Sequence, residues 1–175
     1  MACTSKGIDM SLDTFRNALK YDDDSIAIGG GEPTLHPLFW QILMESLAIS
    51  ESVWMATNGS ITPIALSLAK LAKKGIISVA LSQDEFHDPI DSVVVQAFQK
   101  NKGENDYREI RNVSGHLIKT GRCKNGKKGC ICEDLFVRPN GDVFGCGCKD
   151  AKYFGNVNKE VNLDDYEYGE CTGKK

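Results

Sequence analysis

Apolar and polar positions along this chain fall into blocks whose period changes from helix to strand and back. Leu12, Phe15 and Leu19 recur at the spacing of one helix face. Ser11 is a suitable N-cap and Asp13 favours a first turn, so a helix is expected to start within residues 10–15. Ile26, Ala27 and Ile28 form a short apolar run, read as the end of a buried strand. Residues 38–48 return to helical spacing, with Phe39, Ile42, Leu43 and Leu47 on one face. Residues 53–57 read as a strand and 62–74 as a helix, stopped by Gly75. Residues 76–82 are nearly all apolar, as in a strand covered on both faces. Residues 91–100 read as a helix capped by Asp91. This alternation predicts an α/β fold, a partial (β/α) barrel or an open parallel sheet with helices on its faces.

The pattern breaks at residues 101–106, which are polar and turn-rich. A strand is expected over 107–113. Further on, residues 135–137 and 143–144 are short strands flanking Pro139-Asn140-Gly141-Asp142, a strong hairpin turn. Two domains follow: an α/β core over 1–106 and a small C-terminal β-hairpin module over 107–175.

Composition narrows the function classes. With 175 residues, 41% hydrophobic and 26% charged, the chain has the make-up of an ordinary globular protein. A net charge of -3 gives no electrostatic case for a nucleic-acid partner. No apolar run is long enough to span a bilayer, and no leader pattern opens the chain, so a cytoplasmic protein with no membrane partner is expected. In that compartment seven cysteines argue for metal or redox chemistry rather than disulfides. Five of them lie between Cys123 and Cys148. The hairpin turn brings Cys130 and Cys132 on one arm towards Cys146 and Cys148 on the other. Converging thiolates suit an iron–sulfur cluster or zinc. Zinc ligand pairs are usually two to four residues apart, whereas one residue separates each pair here, which strains a single zinc site. The consecutive carboxylates Asp22, Asp23 and Asp24 do not converge and read as a solvated turn. His87 and His116 read as loop histidines.

Three successive strand ends carry the other candidate chemistry, and in a parallel sheet such loops share the ligand-binding edge. The first is Gly29-Gly30-Gly31-Glu32-Pro33-Thr34-Leu35-His36. Glycines let backbone approach a ligand closely, and Pro33 keeps Glu32 extended. A carboxylate there suits an amine or a hydroxyl. The second is Thr57-Asn58-Gly59-Ser60; Asn58 can donate and accept, but also forms turns. The third is residues 82–88, where Ser82 and Asp84 can hold hydroxyls or cap the next helix.

The string Gly-Gly-Glu-Pro resembles the GGEP motif of the radical S-adenosylmethionine superfamily. The resemblance implies that Gly30, Gly31, Glu32 and Pro33 contact the methionyl amine of S-adenosylmethionine. Thr57-Asn58-Gly59 and Ser82-Gln83-Asp84 resemble the strings that end the family's next two strands, the latter a ribose contact. Cys130, Gly141 and Cys146 resemble the spacing of the twitch or SPASM-type extension, which carries an auxiliary [4Fe–4S] cluster. Gly155-Asn156-Val157 resembles the string that follows it. Which of Cys123, Cys130, Cys132, Cys146, Cys148 and Cys171 ligate stays open. The family's catalytic cluster needs a Cys-x3-Cys-x2-Cys loop, and here only Cys3 stands in the place of its last cysteine. The expectation is therefore an N-terminally shortened relative, inactive alone, that forms a 5′-deoxyadenosyl radical only when the missing ligands are supplied. The family's extensions imply a peptide or protein substrate. The competing expectations are an inactive metal-binding interaction protein on the same scaffold, and a zinc-stabilised α/β binding protein.

Overall fold

A computed structural model describes residues 7–21, 24–83, 87–111, 135–147 and 151–166. Four strands, β1 (Ser25–Ile28), β2 (Ser52–Thr57), β3 (Ser78–Ser82) and β4 (Arg108–Arg111), form a parallel sheet in chain order. They are in continuous register: Ile28 lies beside Met55, Met55 beside Val79, and Ser82 beside Arg111. The connecting helices are α2 (Phe39–Ile49), α3 (Thr62–Lys73) and α4 (Ser92–Phe98). Parallel crossovers are right-handed, so a sheet that grows in one direction receives all its helices on one face.

The core reflects that rule. Val53, Met55, Val79 and Leu81 form one hydrophobic cluster with Phe39 and Leu43 of α2, Ala65, Leu68, Ala69 and Ala72 of α3, and Val94 and Phe98 of α4. The alternate residues Trp54, Ala56, Ser78 and Ala80 point to the other face and are outside that cluster. Ala80 and Ser82 on that face are themselves buried. The helices α2, α3 and α4 thus all pack on one face of the expected parallel sheet. Among the described residues β1 and β4 each pair with one neighbour, and no barrel closes.

Local chemistry sets the helix ends. Asp91 accepts from the Val93 N–H at 3.1 Å and caps α4. Gly75 ends the turn after α3 with φ 75°, and a Cβ there would press on the Tyr107 ring at 3.3 Å. At the start of β4, Arg108 is 5% exposed and forks onto acids. Its Nε donates to both Asp106 oxygens, its Nη2 to Asp106 and Glu104, and its Nη1 to the Ala97 carbonyl at 2.8 Å. Lys73 reaches Glu104 at 2.7 Å.

Hydrogen bonds from Lys73, from the Asn101 amide and from Arg108 lower the Glu104 pKa to about 2. The Arg108 side chain lowers that of Asp106 to about 2. Both folded values lie below those of unfolded carboxylates, about 4. The stability they confer is therefore complete above pH about 4.5 and lost as pH falls towards 2. Urea midpoints measured between pH 5 and pH 2.5 are expected to fall steeply for the wild type. The fall should be shallower in Arg108→Leu, which has already lost the ion pairs.

A second compact unit joins α1 (Leu12–Ala18) to an antiparallel sheet of β5 (Phe136–Val137), β6 (Asp142–Phe144) and β7 (Tyr153–Asn156). The division therefore differs from the expected 106/107 boundary: β4 completes the first unit, and α1 joins the second. The expected hairpin forms at β5–β6. The Gly141 N–H donates to the Arg138 carbonyl and the Arg138 N–H to the Asp142 carbonyl, both at 2.8 Å, with Gly141 at φ 91°.

Asn156 locks that turn. Its amide donates to the Asn140 carbonyl at 3.0 Å and to Asp142 Oδ1 at 2.9 Å. Hydrogen bonds from Asn156 and Asn140 hold the Asp142 carboxyl below its usual range. Asn158, whose N–H donates to Asn156 Oδ1, reaches α1 by donating to Thr14 Oγ1 at 3.0 Å and accepting from Asn17 at 3.1 Å. Val143, Phe154 and Val157 are buried beneath, with Ala18 of α1 against them. Among the described residues no helix is long and apolar enough to cross a membrane.

Candidate functional site

Because the four strands of the first unit are parallel and in register, their C-terminal ends share one edge. Ile28 runs directly into Gly29, Gly30 and Gly31. Gly30 has φ 130°, a conformation that L side chains rarely adopt. A Cβ on any of the three would meet no atom within 4 Å. Packing among the described residues therefore does not account for the lack of side chains, and they leave space for something to lie against this backbone.

Glu32 follows at 8% exposure. Its backbone is extended, φ -139° and ψ 108°, as expected before proline, and it caps a 3-10 turn over Pro33–Leu35. Oε1 accepts from the Thr34 N–H at 3.2 Å, the Thr34 hydroxyl at 2.7 Å and the Thr57 hydroxyl at 2.8 Å. Oε2 accepts from the Asn58 N–H at 2.6 Å and retains acceptor capacity. All four donors are neutral groups, and no cation pairs with Glu32 among the described residues. The tips of β1 and β2 thus carry a buried carboxylate without a counter-charge.

The other residues read from sequence are distributed as follows. Asn58 spends its Oδ1 on the Ser60 N–H at 2.9 Å and leaves its amide donors uncommitted. Gly59, at φ 70°, lies so close to Leu81 that a Cβ would be 2.9 Å from Cδ1. Ser82, 6% exposed, ends β3 beside Arg111 of β4. His36 accepts from the Leu38 N–H through Nδ1 at 3.0 Å, which places it in the turn. Asp84 lies outside the described residues, as do Cys3, Cys123, Cys130, Cys132 and Cys148. Cys146 is described: it lies just after β6, buried at 4% exposure. Among the described residues no three His, Cys, Asp or Glu side chains form a metal-ligand group.

One residue at this edge escapes a pattern reading. The Arg111 guanidinium lies 5.2 Å from the centre of the Trp54 ring. Its buried Nε has no hydrogen-bond partner. An unmet guanidinium donor beside a serine suits a carboxylate. The signal available in sequence was an arginine two residues after an acid in a short strand-like run, Arg108-Glu109-Ile110-Arg111, which periodicity alone does not distinguish from a solvated edge. The tips of β1 and β2 therefore offer an open glycine backbone, a buried carboxylate and the Asn58 amide donors, while the Arg111 guanidinium folds back over Trp54. Compared with models of known families, with curated proteins and with solved structures, the chain matches none.

Proposed function

We propose that this edge binds S-adenosylmethionine, and that the chain is a radical S-adenosylmethionine-type protein carrying a metal centre in its C-terminal module. The observation that carries the reading is Glu32: a buried carboxylate held by four neutral donors, next to three glycines with open space above them. Such an anion favours a cationic ligand group, and charge-assisted hydrogen bonds are the strong ones. Glu32 Oε2, which retains acceptor capacity, would hold the methionyl ammonium. The Asn58 amide donors would suit a ribose hydroxyl or the methionyl carboxylate. Helices on a single face of a sheet in chain order are also what a segment of a (β/α) barrel requires, which supports the partial-barrel reading.

The two clusters implied by the resemblance fare differently. Three cysteines are needed to hold the catalytic one, and this sequence places only Cys3 before the first helix. That donor set does not fit the catalytic cluster. In the C-terminal module the donor chemistry does fit, because thiolates suit an iron–sulfur centre or zinc, with Cys146 held at the end of a stapled hairpin. When bound, an iron–sulfur cluster there supplies a one-electron redox centre. The substrate class remains the peptide or protein implied by the resemblance.

Equilibrium dialysis with S-adenosylmethionine tests the reading. Saturable one-site binding is expected, weakened about ten-fold or more in Glu32→Gln, which loses a charged hydrogen bond. No binding by the wild type overturns it. Metal analysis of anaerobically purified protein tests the second half. About four iron and four sulfide per chain are expected, whereas stoichiometric zinc without sulfide would make the module structural.

A further inference from the structure

We infer that Thr57 is a positioning residue for the ligand at the glycine edge, acting through Glu32; this rests on the S-adenosylmethionine reading above. Thr57 is the last residue of β2 and 2% exposed. Its hydroxyl donates to Glu32 Oε1 at 2.8 Å and accepts from the Gly59 N–H at 3.1 Å. The same side chain thereby ties the carboxylate of the first loop to the backbone of the second. The Asn58 N–H, which lies between the two contacts, completes the tie on Oε2 at 2.6 Å.

The remaining donors to Glu32 come from Thr34, two residues away in the same loop. Those bonds shape the loop but do not locate it relative to β2. Among the described residues only Thr57 and the Asn58 N–H do that. A backbone N–H cannot be rotated away from its strand, so Thr57 is the side chain that sets how Glu32 is aimed. Removing its hydroxyl leaves a buried carboxylate short of one donor and the Gly59 N–H without its acceptor. Both groups then compete for water or rearrange, and the loop loses its fixed distance from β2. A ligand that must meet Glu32, the glycine backbone and the Asn58 amide together loses affinity when that distance varies.

Thr57→Val keeps the shape and removes the hydroxyl. By equilibrium dialysis, its dissociation constant for S-adenosylmethionine is expected to rise about ten-fold, while Thr57→Ser stays within about two-fold of wild type. In the double variant with Glu32→Gln, the loss should be no larger than in Glu32→Gln alone, because Thr57 acts through that carboxylate. Wild-type affinity in Thr57→Val, or losses that add, overturn the inference while leaving the binding site itself standing. No binding by the wild type overturns both. Amide exchange on the wild type gives a readout that does not depend on the variant folding. The Asn58 and Gly59 N–H groups should be protected before ligand is added, and free exchange of either overturns the preformed tie.

Discussion

Arg108→Ala is expected to lower the stability of the first unit by about 3 kcal/mol, among the largest effects of any single side chain there. Removing one partner of a buried ion pair typically costs about 3–5 kcal/mol. The lower end applies because Glu104 and Asp106 keep 25% and 10% of their side-chain surface in water, against 5% for Arg108. The loss has three parts. The Ala97 carbonyl at the end of α4 loses the donor that fastens it to β4. Asp106 loses a fork that engages both its oxygens. The stem leaves a hole between α4 and the sheet. Arg108→Lys restores charge but not the fork, so it should recover only part of the loss. Urea unfolding followed by circular dichroism measures this; a change below about 1 kcal/mol, the scale of an exposed pair, would show that the network is a surface feature.

In the second unit the largest effect should come from Gly155→Ala. Gly155 sits in β7 with φ 125°. An added Cβ would overlap the Glu160 carbonyl oxygen and lie 2.9 Å from Val161 Cα. Neither neighbour is a flexible side chain. The Asn156 N–H donates to that same Glu160 carbonyl at 2.8 Å, and the Asn162 N–H to the Phe154 carbonyl at 2.9 Å. Relief therefore requires the returning segment to peel from β7. The backbone conformation costs about 1–3 kcal/mol and the overlap about 1–3 kcal/mol more. Against a core of Val143, Phe154 and Val157 with partly buried neighbours, that total should abolish protection of the antiparallel sheet. Amide exchange should show β6 and β7 opening while β2 and β3 stay protected. Equal protection in variant and wild type would mean that the segment after Asn156 can shift freely.

The parallel sheet was legible because each of its elements carries its own period. Val53, Met55 and Thr57 alternate with half-buried neighbours, and α3 places Ala65, Leu68, Ala69 and Ala72 on one stripe. The turn at Gly141 was legible from its residues. β7 was not, since Tyr153-Phe154-Gly155-Asn156 has a glycine and no alternation, and becomes a strand only by pairing with β6. The motif-like string Gly155-Asn156-Val157 has a mechanical role: Gly155 admits the returning chain, Asn156 locks the turn, and the Val157 N–H donates to the Gly141 carbonyl at 2.8 Å. At the glycine edge, sequence placed Glu32 at a strand tip. Its tie to Thr57 and Asn58 spans 25 and 26 residues and depends on the register of β1 with β2, which no local pattern encodes.

The membership of α1 has a consequence for the order of assembly during synthesis. Seven residues are too few to hold a helix alone, and the partners that hold this one, Asn158 and the layer around Phe154, are translated more than 110 residues later. The parallel sheet between them consists of neighbours in sequence and can close as it leaves the ribosome. The helix made before the sheet must therefore wait, unpaired, while the sheet folds. Its docking is a loop closure across the whole parallel sheet, the slow kind of contact. Until then a stretch bearing Phe15 is exposed to chaperones and proteases, although it is made before the sheet that folds ahead of it.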